Sequence, residues 1–363
     1  MKSIHSIIKL LALCICLTGI HGAAYAQDPT FSQYQGNELN FNPAYAGTAR
    51  DIRFGATYRT LWPNVPGKQF PGPLSSYNAS VDMMFKLNNI QKIGIGFSAG
   101  QDVEGQGYLT NTTYALPISY HLLFSKSASM YIGVRPSLNQ VKIDWSRFVF
   151  SDQLSPEYGI VQSTSFNQEQ LRSRYYFNFD AGLLGRFSQN VGRIENYEEI
   201  GFAVSNLVRP AISMTGGNDA LTRLPMRYIL SGRAAFKTKD KLFIGPLLLL
   251  EMQGKFFSTK AGIDFYYRPK NNPNVVPLTF GLYHRTGVLN GNDTRGFIAY
   301  VGHKGVINGN FVRGRTATYS VGFSADFNYG GLNMQTYGAY ELTVGFTLPT
   351  KLSLDYNDQQ CIW

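Results

Sequence analysis

From Tyr340 to Leu348 the sequence alternates without a break: Tyr340, Leu342, Val344, Phe346 and Leu348 are apolar, while Glu341, Thr343, Gly345 and Thr347 between them are polar or small. A period of two puts all five apolar side chains on one face of a β-strand. The run before it repeats the pattern, with Val321, Phe323, Ala325 and Phe327 against Gly322, Ser324, Asp326 and Asn328. Further runs follow at Tyr77–Phe85, Ile93–Ala99, Tyr108–Phe124, Met130–Val141, Tyr175–Phe187, Ala261–Arg268 and Leu278–His284. The fold class is therefore all-β. In a water-soluble sandwich the apolar faces point inward, and in a barrel that crosses lipid they point outward, so periodicity leaves both open.

Three further features favour the barrel. The longest apolar stretch beyond the N-terminus, Leu242–Leu250, is interrupted by Gly245 and Pro246 and reaches half of the ~20 residues a spanning helix needs. Mean hydropathy is −0.15, too polar for a helical bundle, yet there are 25 Phe and 23 Tyr. Connection lengths also alternate. Lys86–Asn89, Ser125–Ala128 and Thr238–Lys241 are brief, whereas Thr60–Pro73, Asp144–Arg174 and Arg209–Thr222 are long, as periplasmic turns and surface loops do. Gln189–Glu199 and Val301–Arg315 are too long for this scheme. The expectation is a transmembrane outer-membrane β-barrel of about 14 antiparallel strands. Leu242–Leu250 breaks the alternation, so a plug, a folded loop or a partner should cover inward positions there. On the last strand, arginine at Leu342 should do more harm than arginine at Thr343, if the lumen has space.

The N-terminus reads as a secretory signal: basic Lys2 and Lys9, apolar Leu10–Ile20, and Ala24-Tyr25-Ala26 as a cleavage site. Residues 1–26 are then the signal peptide, 27–50 an N-terminal periplasmic or lumen segment, 51–349 the barrel and 350–363 a C-terminal periplasmic tail. Cys14 and Cys16 fall in the signal, which leaves Cys361 alone and excludes an internal disulfide.

Catalytic chemistry finds little support. His121, His284 and His303 survive signal removal without metal-ligand spacing. Gly94-x-Gly96-x-x-x-Gly100 misses the dinucleotide pattern and lies in a strand. Ser119 and His121 share one face of a strand, pointing inward, and read as a lumen pair. No enzyme activity, metal or cofactor is expected. Without Lys2 and Lys9 the chain carries 31 basic against 23 acidic residues, net +8. An exported protein has no nucleic-acid partner, so Lys68, Arg172, Arg174 and Arg285, read as loop residues, would meet outer-membrane lipid phosphates, an acidic partner or simply solvent.

Asp28-Pro29 with Phe31-Ser32-Gln33-Tyr34, then Asn42-Pro43-Ala44-Tyr45-Ala46-Gly47, open the mature chain; Asn206-Leu207 with Pro210, Asp326 with Leu332, and Gly338-Ala339-Tyr340-Glu341-Leu342 follow later. In these elements the chain resembles the PorP/SprF family of type IX secretion and gliding barrels. The resemblance implies a non-enzymatic outer-membrane component working with type IX secretion components and with exported proteins that carry C-terminal sorting domains, in their export or surface attachment. Aromatic and turn residues of the N-terminal segment, Phe31, Tyr34, Asn42, Pro43 and Tyr45, with Trp62 and Trp145 in long loops, are the candidate partner contacts. The N-terminal segment is too aromatic for a free tail and would plug the pore, clamp the barrel or face periplasmic machinery. A porin or hydrophobic-solute channel shares all these fold signals; an open polar lumen would favour it.

Overall fold

The computed structural model describes residues 30–350, except 50, 64–73, 105–108, 126, 156, 167–172, 190–195, 213–222, 240–241, 268–277, 290–291, 313–314 and 330–337. The signal segment, the cleavage site, Lys68, Arg172, Leu332 and the tail beyond residue 350 lie outside the described residues. Fourteen antiparallel strands form a closed barrel. They are β1 (Ile52–Leu61), β2 (Leu74–Lys86), β3 (Gln91–Glu104), β4 (Leu109–Ala115 continued by Ile118–Leu123), β5 (Ala128–Ile143), β6 (Ser173–Gln189) and β7 (Asn196–Ser205). The second half comprises β8 (Arg227–Lys239), β9 (Leu242–Gln253), β10 (Phe256–Tyr267), β11 (Leu278–Leu289), β12 (Gly296–Val312), β13 (Arg315–Asn328) and β14 (Ala339–Leu348). Each strand pairs with its sequence neighbours. β1 closes the cylinder against β14, in register from Ile52↔Leu348 to Leu61↔Ala339.

The two faces are inverted relative to a soluble sandwich. Phe177, Leu282 and Ile200 expose 70%, 65% and 60% of their surface on the outside, while Glu199 and Asp82 expose 2% and 1% inside. An apolar exterior around a charged interior is the arrangement that a bilayer stabilises and water does not. On β14, Leu342 points out and Thr343 in. Two residues read as loop cations prove to be strand residues: Arg174 lies in β6 and Arg285 in β11. Arg285 turns inward and pairs with Asp326 at 2.8 Å.

The two connections too long for periplasmic turns are largely strand. β6 runs to Gln189 and β7 starts at Asn196, while β12 continues to Val312 and β13 starts at Arg315. Polar and small residues toward the ends of these strands had hidden their extension. At β4, Pro117 interrupts the assignment but not the register: Ser98↔Ala115 on one side and Ile95↔Ile118 on the other keep one alignment with β3. Pro117 lacks an N–H, so only the Gly96 N–H to Pro117 carbonyl bond (2.8 Å) of that pair remains. Within Leu242–Leu250, Leu247 and Leu249 face inward and are buried against residues of the N-terminal segment, which accounts for the broken alternation.

Candidate functional site: the filled lumen

Residues 30–49 lie inside the barrel. A single helical turn, Glu38–Phe41, leads into a 3-10 turn, Pro43–Tyr45. Asn42 starts the second turn: its side chain accepts from the Ala44 N–H at 2.9 Å, and Pro43 occupies the first position, where a missing N–H costs nothing. Gly47 then takes φ +70°, a value that favours glycine. Phe31, Tyr34, Leu39, Phe41 and Tyr45 form one apolar cluster with Tyr131, Leu184, Ile229, Leu249, Tyr283 and Ile298 of the wall.

The segment runs lengthwise through the lumen. Ser32 and Gln33 donate their N–H groups to Glu341 (2.6 and 3.1 Å), close to the β13–β14 loop. Gln33 Nε2 donates to the Glu341 carbonyl at 2.7 Å, and Lys260 donates to the Ser32 carbonyl at 2.5 Å. At the other rim the Gly47 N–H donates to Asp82 at 2.7 Å. Between them Glu38, the segment's only ionic side chain, meets Arg53 of β1 at 2.6 Å and Arg233 of β8 at 2.7 Å. Tyr34 donates to Ser231 (2.9 Å) and Tyr45 to Glu199 (2.5 Å). Glu199 also accepts from Tyr197, Arg186 and Arg233.

The wall has a flat place for this peptide. Gly94, Ser119, Gly133, Gly182 and Ala203 are successive cross-strand partners on β3 to β7, forming one row of small inward residues. Against that row lie the Ala46 carbonyl, the backbone at Pro43 and Ala44, and the Asn42 side chain; a Cβ at Gly94 would collide with Ala46, and one at Gly133 with Ala44. Asn42 Nδ2 donates across it to the carbonyls of Leu183 (2.9 Å) and Phe202 (3.4 Å). Gly94→Ala is thus expected to lower stability by about 1–3 kcal/mol through overpacking. Gly232→Ala, with nothing within 4 Å of the added carbon, should stay within about 0.5 kcal/mol. Unfolding midpoints in detergent measure both.

Of the residues singled out in the sequence, Phe31, Tyr34, Asn42, Pro43 and Tyr45 come together here, buried against the wall. Trp62 and Trp145 lie elsewhere. Trp62, at φ +55°, donates its backbone N–H to the Gly338 carbonyl at 2.9 Å. Trp145 packs with Phe148 and Phe166 (ring centroids 5.5 and 5.3 Å) in the β5–β6 loop. The Ser119–His121 pair serves the plug: Ser119 donates to the Ala46 carbonyl at 2.6 Å, and His121 Nε2 is 2.6 Å from Ser119 Oγ and 2.9 Å from that same carbonyl. Among the described residues no group of His, Cys, Asp and Glu could hold a metal ion. The wall's ion pairs, including Arg59 with Glu341 (3.1 Å) and Arg135 with Asp180 (2.5 Å), escaped the sequence reading. The available signal was one or two charges at inward positions of most strands.

The family model for the type IX secretion system membrane protein PorP/SprF matches residues 23–346. No curated protein matches the chain. Among solved structures, a FadL homologue from Pseudomonas aeruginosa is similar at 11% identity and TM-score 0.46, over 90% of this chain and 99% of that one. The CymD monoaromatic hydrocarbon channel follows at 9% and 0.45, over 94% and 96%. The translocator domain of autotransporter NalP from Neisseria meningitidis gives 10% and 0.35, over 83% and 88%.

Proposed function

The chain belongs to the PorP/SprF family of type IX secretion system membrane proteins, and from this premise we propose that it is a non-enzymatic outer-membrane barrel that partners the export or surface attachment of proteins with C-terminal sorting domains. The observation that carries the reading is the lumen, filled along its length by residues 30–49. A diffusion channel needs a continuous aqueous path, whereas Tyr34, Phe41, Glu38 and Tyr45 stand across the middle of this one. The β5–β6 loop supports a partner role: Trp145, Phe148, Phe150 and Phe166 stack together, and Tyr158 and Ile160 beside them are exposed. Aromatic side chains on a braced loop are the usual anchors of an interface. Asp152 braces it by accepting from the Ser165 N–H (2.7 Å) and hydroxyl (2.9 Å), bonds that hold its carboxyl below the usual range.

Orientation follows from this reading: the short turns face the periplasm, the long loops the cell surface, and the mature chain begins at Gln27. Deleting the gene should leave the envelope intact while one or a few sorting-domain proteins disappear from the surface or accumulate in the medium. Surface and secreted proteomics, with the deletion complemented by a variant shortened within residues 148–166, measures this. An unchanged proteome with reduced uptake of a small solute would establish the channel instead.

A further inference from the structure

The wall arginines that the segment meets each keep a carboxylate on the wall: Arg53 has Asp82 at 2.8 Å, and Arg59 has Glu341 at 3.1 Å. Arg135 likewise has Asp180, and Arg233 has Glu199. An element integral to a core normally supplies counter-charges that its neighbours lack, because an unpaired buried charge costs several kcal/mol. This segment supplies one carboxylate, Glu38, to Arg53, which Asp82 already matches, and to Arg233, which shares Glu199 with Arg186. In the row of small residues Gly94 and Gly133 lie against main chain, at Ala46 and at Pro43 and Ala44, and Lys260 and Glu341 address backbone carbonyls and N–H groups. Topology permits departure: among the described residues the segment joins the barrel only ahead of β1, and none before Phe31 belongs to a strand.

We propose that the lumen is a peptide-binding site with residues 30–49 as its resident, displaceable ligand, and that the occupant exchanged for it is an aromatic, carboxylate-bearing segment of a protein held by the barrel. The identity of that donor rests on the partner reading above; the exchange itself does not.

The test uses the full chain in detergent micelles with Cys361→Ser and Leu39→Cys. Leu39 is buried in the lumen, so its cysteine reacts with a maleimide only when the segment leaves. The probe is a fluorescent synthetic peptide of residues 30–49. A tethered segment competes at an effective concentration of roughly millimolar, so the intact protein should bind the peptide weakly but saturably, with cysteine labelling accelerated about tenfold or more. Glu38→Gln in the protein should raise apparent peptide affinity about tenfold or more, since the amide keeps one acceptor oxygen and one of the two charged hydrogen bonds to the arginines is lost from the resident; the same change in the peptide should lower it by as much. If Glu38→Gln does not fold, Gly94→Ala is judged in its place by the binding of the unchanged peptide, for which peptide and resident compete on an altered wall and labelling must still rise with binding. No saturable binding, binding by a scrambled peptide as tight, or binding without faster labelling would each overturn the proposal. The deletion phenotype is read separately, so failure of exchange and failure of the partner reading remain distinguishable.

Discussion

Glu199→Ala is expected to cost about 3–5 kcal/mol, the range for removing one partner of a buried ion pair. Glu199 is buried and accepts from Arg186 at 3.1 Å, from Arg233, and from the hydroxyls of Tyr45 and Tyr197. Its loss leaves two guanidiniums facing each other in the lumen, Arg186 between the rings of Tyr45, Tyr131 and Tyr197 and Arg233 over Tyr34. Glu38 still meets Arg233 but does not reach Arg186 among its ion pairs. The neighbouring Glu198 points outward and is exposed, so Glu198→Ala should stay within about 0.5 kcal/mol. Urea unfolding followed by the gel shift of folded barrel distinguishes the two. Equal midpoints for both variants would mean that Glu199 does not organise the lumen.

The second large effect separates lipid from lumen. Leu342 faces the bilayer, and Leu342→Arg should destabilise the barrel by roughly 2–4 kcal/mol near the midplane, less toward an interface. The sequence suggested a milder outcome at Thr343, conditional on space, and the structure removes that space: Thr343 Oγ1 donates to Gln33 Oε1 at 2.6 Å and its methyl group packs on Gly36. Thr343→Arg must therefore expel the start of the N-terminal segment. The two variants should differ in character. Leu342→Arg weakens folding into vesicles more than into micelles, whereas Thr343→Arg weakens both alike and exposes the segment to protease. A Leu342→Arg protein as stable in vesicles as the unaltered chain would contradict the lipid-facing assignment.

Strand identity was legible because outward residues are large and apolar and inward ones are not, as at Tyr340 to Leu348. Strand ends were not: Val301–Val312 contains His303, Lys304, Asn308 and Asn310, polar residues that read as a loop until a sheet is there to pair them. The disturbance at Leu247 and Leu249 was readable as covered lumen, although what covers it could not be. The lumen network was hardest to foresee. Arg53 and Asp82, and Glu199 and Arg233, meet only once neighbouring strands pair in register, and Arg59 reaches Glu341, 282 residues away, only when the barrel closes. Arg285 shows the same limit, since next to His284 and Thr286 it carried no mark of facing inward.

Closure of the cylinder joins the first strand to the last, and both are contacted by the segment that precedes them. Arg53 and Arg59 of β1 and Glu341 and Thr343 of β14 all bond to residues 32–45, and Ser32 is 309 residues from Glu341. Bringing such distant strands together carries a large loop-closure entropy before any pairing compensates it, which is why long-range β pairing is slow. A peptide that gathers both edges on one surface shortens that search, so the lumen filling doubles as an assembly template. Refolding of a chain weakened at Ser32 or Gln33 should slow at the step that seals the sheet, even where the finished barrel is little less stable.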